Sequence, residues 1–267
     1  MHPFDEAIRL EPMPDGSLRG HTSELYWNFV GPYGGITAAT MLQGLLVDAR
    51  RLGEPVQLTV NFAAPLTESE FRLKPRLQRT NRNSQHWSID LLQGESEEAV
   101  ISALAMFANR RDTWSVTDAE PPAMPAPETC KQAVLREGMA WPKMYALLYP
   151  EWRFGQDNPE SYSKAWVRDA TPRTLDFASL TSICDSFFPR LFLRRPQFVP
   201  IGTVSMNVYF HSDAQALADH GEAHLACEGK GQIYSRGFFD QEARVWGRNA
   251  AGAPAPLATT QKVVYKE

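Results

Sequence analysis

At 267 residues, 43% of them hydrophobic, the chain is long enough for one large or two small domains and apolar enough to fill an ordinary core, which excludes a disordered protein. A formal net charge of −4, from 27 basic and 31 acidic residues, leaves no broad positive field, so no nucleic acid partner is expected. No apolar run approaches the roughly 20 residues that span a bilayer, and MHPFDEAIRLEPMPDG lacks the basic region and apolar core of a secretion signal; a soluble, cytoplasmic protein with no membrane partner is expected.

The first clear element runs from Gly34 to Arg51, where Ala38, Ala39, Leu42, Leu45, Leu46 and Ala49 form one stripe and Thr40, Gln43, Asp48 and Arg50 lie elsewhere, the pattern of an amphipathic helix. Val56, Leu58, Val60 and Phe62 then alternate with polar residues, the period of a strand with one buried face, and Pro65 closes it. Phe71 to Thr80, Trp87 to Leu92 and Ala99 to Asn109 read as further strands, separated by turn residues such as Asn81, Asn83 and Gly94. From residue 113 the closely spaced prolines of TDAEPPAMPAPETC oppose regular structure and mark a connection, within which Lys131 to Tyr149 is expected to hold a short helix.

A strand at Lys164 to Arg168 opens the second part. In LDFASLTSICDSFFPRL a second helix puts Leu180, Ile183, Cys184, Phe187, Phe188 and Leu191 on one stripe with Asp185 at its margin, and Pro189 should kink or stop it. The strand-like runs TVSMNVYFH, AHLACEGKG, GFFDQEARVW and PLATTQKVVY follow. The order of the first part is thus repeated, with Val60 and Phe62 falling on Val208 and Phe210 and helix falling on helix. Two copies of long period imply a duplicated α+β unit, and not a solenoid, which needs at least three. The expected units are residues 1–112, a proline-rich connection at 113–150, and 151–267, with function at the seam between the copies.

Chemistry-bearing residues narrow the choice. Cys130, Cys184 and Cys227 are odd in number and show no CxxC or Cys/His ligand spacing, so disulfides and structural zinc are disfavoured. His21, His86, His211 and His224 lack metal spacing, and no serine lies in G-x-S-x-G, which leaves a triad hydrolase without its nucleophile elbow. Trp27, Trp87 and Trp246 read as packing. Arg79, Arg82 and Lys230 could meet phosphates, but charged residues near turns are mostly solvated.

At WNFVGPYGGITAATMLQ, LTVNFAAPLT, AWVRD and LATTQKVV the chain resembles the thioesterase-like superfamily, and within it the double-hotdog acyl-CoA thioesterases related to bacterial acyl-CoA thioesterase II. The resemblance implies two hotdog units, each a helix wrapped by an antiparallel sheet, joined edge to edge, with no metal, no organic cofactor and an acyl-CoA substrate. It also implies a water-positioning site of an Asp on the second helix, a Thr or Ser on the next strand and a Gln near the C-terminus, which fall on Asp185, Thr203 and Gln261. The strand reads Thr-Val-Ser-Met-Asn where relatives carry an acidic and a basic residue after the Thr, and the Gln aligns with a one-residue offset.

The chemistry suits such groups, because thioester hydrolysis needs a held water, a base for its proton and donors for the developing oxyanion. Asp185 is the candidate base, with Thr203 and Gln261 as orienters that can donate and accept. Gly34 and Gly35 at the start of the first helix are candidate oxyanion donors, since helix-start amides point outward and glycine lets a ligand approach them. Two rivals stay open: a non-catalytic acyl-CoA-binding double hotdog, and an enoyl-CoA hydratase, which would want a histidine close to the Asp. A homo-oligomer is expected from hotdog sheets that associate further.

Overall fold

A computed structural model describes residues 1–134 and 137–266. In chain order the helices are α1 (Pro3–Ala7), α2 (Gly34–Leu46), α3 (Phe177–Ile183), α4 (Leu191–Arg194) and α5 (Ala214–His220). The strands of the first part are β1 (Glu11–Pro12), β2 (Leu18–His21), β3 (Glu54–Phe62), β4 (Glu70–Thr80), β5 (Ser84–Leu92) and β6 (Ile101–Ala108). Those of the second are β7 (Lys131–Gln132), β8 (Tyr145–Tyr149), β9 (Ser163–Asp169), β10 (Ile201–Phe210), β11 (Leu225–Lys230), β12 (Tyr234–Ser235), β13 (Phe238–Arg248) and β14 (Pro254–Lys266).

Among the described residues, fourteen strands form one antiparallel sheet in the order β1-β2-β4-β5-β6-β3-β10-β14-β13-β11-β9-β8-β7, with β12 paired to β13. The middle of this order is the seam. β3 and β10, the equivalent strands of the two copies, pair antiparallel with Val60 opposite Met206 and Leu58 opposite Val208. All four side chains are buried on the inner face, each contributing about 1.5–3 kcal/mol by leaving water. On the outer face the Thr59 hydroxyl donates to Asn207 Oδ1 at 2.6 Å. The expected α+β double hotdog, two wrapped helices joined edge to edge, is the observed fold.

α2 is buried on nearly every side, Thr37 and Thr40 included, so it is a central helix and not an amphipathic surface one. Small residues permit this: a methyl group at Gly44 would lie 2.8 Å from Ile89 Cδ1 and 3.0 Å from Leu73 Cδ1 of the wrapping strands. Thr40 satisfies its hydroxyl by donating to Ile36 O at 2.8 Å. α2 and α3 pack on each other across the seam.

Two expectations are corrected. Residues 131–149 hold no α-helix among those described; Tyr145, Leu147 and Tyr149 alternate inward as β8, which joins β9 through Tyr145 and Asp169. α3 ends at Ile183, well before Pro189, because Asp185 N and Ser186 N donate to Ser182 O and Ile183 O in tight three-residue turns. All three cysteines are free thiols, with Cys184 and Cys227 buried. No described helix is long and apolar enough to cross a membrane.

Candidate active site

Asp185 sits just past the C-cap of α3, in a loop held from several sides. Gln241 on β13 donates its amide to Phe187 O at 3.1 Å and accepts from Arg190 N at 3.3 Å. Arg190, fully buried, donates to Phe188 O at 2.6 and 2.9 Å and to Ser163 Oγ at 2.6 Å. Its burial pushes the guanidinium pKa down to about 10. The loop is therefore fixed by backbone and side-chain bonds, and Asp185 with it.

The carboxylate is nearly enclosed, its side chain 7% exposed. Oδ1 accepts from Lys262 Nζ at 2.5 Å. Oδ2 faces the first residue of α2: a methyl group at Gly34 would lie 2.8 Å from it and 3.6 Å from Phe62 Cζ. One residue on, a methyl group at Gly35 would lie 2.5 Å from Ser182 O and from the Tyr33 ring. Only glycine allows the end of α3 to approach the start of α2 this closely. The positive end of the α2 dipole, with amides that precede the first intrahelical bond, thus meets a carboxylate of the other copy.

Tyr33 and Tyr145 brace this contact. Tyr33, the N-cap residue of α2, donates its hydroxyl to Ser182 O at 2.7 Å, and Tyr145 pairs its hydroxyl with Ser182 Oγ at 2.7 Å. Burial, and next the Asp185 charge, hold the Tyr33 phenol well above its ordinary pKa. Tyr33 also stacks on Trp141 at 4.1 Å between ring centroids, and Trp141 reaches Phe188 at 5.8 Å, making an aromatic wall beside the carboxylate. The Trp141 indole N–H and the hydroxyl of Ser186, adjacent to Asp185, are buried with no hydrogen-bond partner among the described residues. Cys184 is not a competing nucleophile, because burial keeps its thiol protonated far above the ordinary range.

Strand phase decides the remaining candidates. On β14, Thr260, Lys262 and Val264 point inward, whereas Gln261 and Val263 are on the exposed face. The structure therefore does not bring Gln261 to Asp185; it brings Lys262. Thr203 is half-buried opposite Val264, two pairs beyond Met206 opposite Lys262, across a bulge between Thr203 and Ser205. It lies on the inner face with no hydrogen bond to Asp185. Lys262 was missed in the sequence although a signal exists: in Ala258, Thr260, Lys262, Val264 a lysine occupies the apolar phase of a strand, where it needs a carboxylate. Of the basic residues weighed for phosphates, Lys230 pairs with Glu242 at 3.1 Å and Arg79 donates to Asn81 at 2.9 Å.

Family models match the chain twice. The acyl-CoA thioesterase N-terminal domain covers residues 23–108 and the acyl-CoA thioesterase C-terminal domain covers residues 116–263. The chain belongs to the acyl-CoA thioesterase family. Both domains are present, N-terminal before C-terminal, and residues 109–115 separate the two matches, so that the proline run at 121–127 falls within the C-terminal one. A conserved protein of unknown function with a hot dog fold from Alicyclobacillus acidocaldarius is 36% identical, with a TM-score of 0.93 over 100% of this chain and 98% of its own. A tesB protein from Mycobacterium avium subs paratuberculosis is 14% identical, with a TM-score of 0.78 over 99% of this thioesterase-family chain and 98% of that one. An acyl-CoA thioesterase II from Mycobacterium marinum shares 15% identity and a TM-score of 0.75 over 99% and 98% of the two chains. These last two likenesses concern the fold. No curated protein matches the chain.

Proposed function

We propose that this chain hydrolyses an acyl-CoA thioester to free acid and coenzyme A, with Asp185 as general base. The observation that carries the reading is the meeting of Asp185 Oδ2 with Gly34 at the start of α2. An acyl carbonyl entering there would have a base from one copy and helix-start amides from the other. Oδ2 takes a proton from water as the water oxygen bonds to the acyl carbon. The carbonyl electrons move onto oxygen, which the Gly34 and Gly35 amides stabilise. The tetrahedral intermediate then expels the thiolate, which leaves as the thiol with the proton Asp185 had taken, so that thioester and water become acid and thiol. In this reading Thr203, on the inner face opposite Val264, orders the water, and Gln261, facing out, has no part.

A thiol-release screen across acyl chain lengths, run with wild type and Asp185→Asn, tests this reading. The variant should stay folded, since its amide oxygen still accepts from Lys262, and should lose about 10²–10⁴-fold in turnover, the usual worth of a general base. Undiminished release would remove Asp185 from the mechanism. One observation favours a second reading: Lys262 already occupies Asp185 Oδ1 in an enclosed site, as a retained but inactive fold would allow. Tight acyl-CoA binding by the wild type without thiol release would establish a binding protein instead.

A further inference from the structure

The hydrolytic reading uses Asp185 and the start of α2 and leaves Lys262 without a role. Its side chain is 5% exposed, and its ammonium lies 2.5 Å from Asp185 Oδ1 and 3.4 Å from Asp185 O. Stability alone is a weak reason for a lysine here. Drawing an ammonium and a carboxylate out of water costs several kcal/mol each, and buried pairs are often no more stable than apolar residues of the same volume. Apolar neighbours are at hand, with Met206 directly opposite on β10 and Val264 two residues along β14, both buried.

Its chemistry is narrow. An ammonium has three donors and no acceptor, so it cannot take the water-orienting part of a primary amide, which both gives and receives. What it can do is grip an acceptor-only carboxylate. Among the described residues, Lys262 is the one cation hydrogen-bonded to Asp185; Arg190 in the same loop spends its guanidinium on Phe188, Ser161, Ser163 and Gly229. The other titratable groups that feel the Asp185 charge, Tyr33, Tyr145 and Cys184, are held by burial in their protonated, neutral forms.

We propose that Lys262 is the positioning residue of this site: it clamps Asp185 through Oδ1, so that Oδ2 alone is presented at Gly34 to the water and acyl carbon. The clamp acts through Asp185 and touches no reacting atom. The proposal rests on the thioesterase reading for its kinetics, but its geometry can be judged separately.

The kinetic test compares wild type, Lys262→Met, Asp185→Asn and the double variant by thiol release. Lys262→Met should lose about 100-fold in kcat, the size of effect a misplaced reacting group produces, with KM within about twofold of wild type. The double variant should be no slower than Asp185→Asn, because the clamp has nothing left to hold. Lys262→Cys, converted by 2-bromoethylamine to a side chain ending in an ammonium, should recover most of the lost kcat, with treated wild type as control; it also serves should Lys262→Met not fold. Wild-type kcat in Lys262→Met, losses that multiply in the double variant, or no recovery once alkylation in denaturant and refolding has been verified at position 262 by mass would each overturn the clamp. A crystal structure of Lys262→Met or Lys262→Cys gives the readout that does not depend on turnover. The Asp185 carboxylate should leave Gly34, and its persistence there would overturn the proposal. Absence of thiol release by the wild type would instead defeat the thioesterase reading.

Discussion

The two central helices occupy equivalent places in the two halves and differ where they meet. α2 runs thirteen residues, carries no charge in its first turn and offers its amides. α3 runs seven, and the loop after it offers a carboxylate. The shortening of α3 is what lets Asp185 turn toward the other copy; on a continued helix its backbone would follow the helix axis. The loop that replaces the lost turns is then tied down by Gln241, Arg190 and Lys262. A duplicated unit can thus specialise by trimming one helix while keeping the strands that hold both.

Substitutions at the contact of the two helices test this contrast beyond the loss expected for Asp185→Asn. Gly35→Ala should have the largest effect on stability. Its methyl would meet backbone oxygen of Ser182 at 2.5 Å, and overpacking of this kind costs about 1–3 kcal/mol. Chemical denaturation would measure it, and an unchanged midpoint would show that the helices are free to separate.

Asp169 sharpens the comparison within the second half. It is buried like Asp185, but its hydrogen-bond partner is the Ser179 hydroxyl at 3.1 Å and not a cation. Burial raises its pKa from 3.8 to about 6, against the smaller lowering effect of that hydrogen bond. The folded chain therefore holds this proton more tightly than the unfolded chain, and stability is lost as pH rises from 3.8 through about 6. Asp169→Asn, which still accepts from Ser179, should be more stable than wild type at pH ~8 by about 1–3 kcal/mol and nearly equal to it at pH ~4. Denaturation at both pH values measures this, and an equal difference at both would show that the carboxyl does not titrate in this window. The smallest effect belongs to Gln261→Ala on the outer face, expected within about 0.5 kcal/mol of wild type and unchanged in thiol release. A large loss of turnover would mean that the inward phase of β14 has been assigned to the wrong residues.

Much of the fold is legible in the sequence because strands with one buried face write a period of two, as in Val56 to Phe62 and again in the run from Met206 to Phe210. The repeat itself places helix on helix and seam strand on seam strand, and Asp185 follows from the motif around it. What resists reading is phase and length. Bulges between Thr203 and Ser205 and between Val245 and Trp246 shift the register locally, and one residue of slip exchanges the faces of a strand. Choosing Gln261 by residue type therefore gives an outward amide, where alternation gives Lys262. α3 ends in local turns at Ser182 and Ile183, and the loop after it is held by Gln241 and Lys262, which lie far along the chain. In residues 145–149 the alternation of Tyr145, Leu147 and Tyr149 was present, but five residues are too few to outweigh a helical reading of the longer stretch.

The ladder between β3 and β10 has a further consequence. Because the seam ladder and the packing around Ser182, and not the proline run at residues 121–127, hold Asp185 beside α2, that run can lengthen at little entropic cost without altering the contact. Insertions in that run should therefore be borne easily, whereas loss or gain of a single residue within either seam strand would shift Asp185 relative to Gly34.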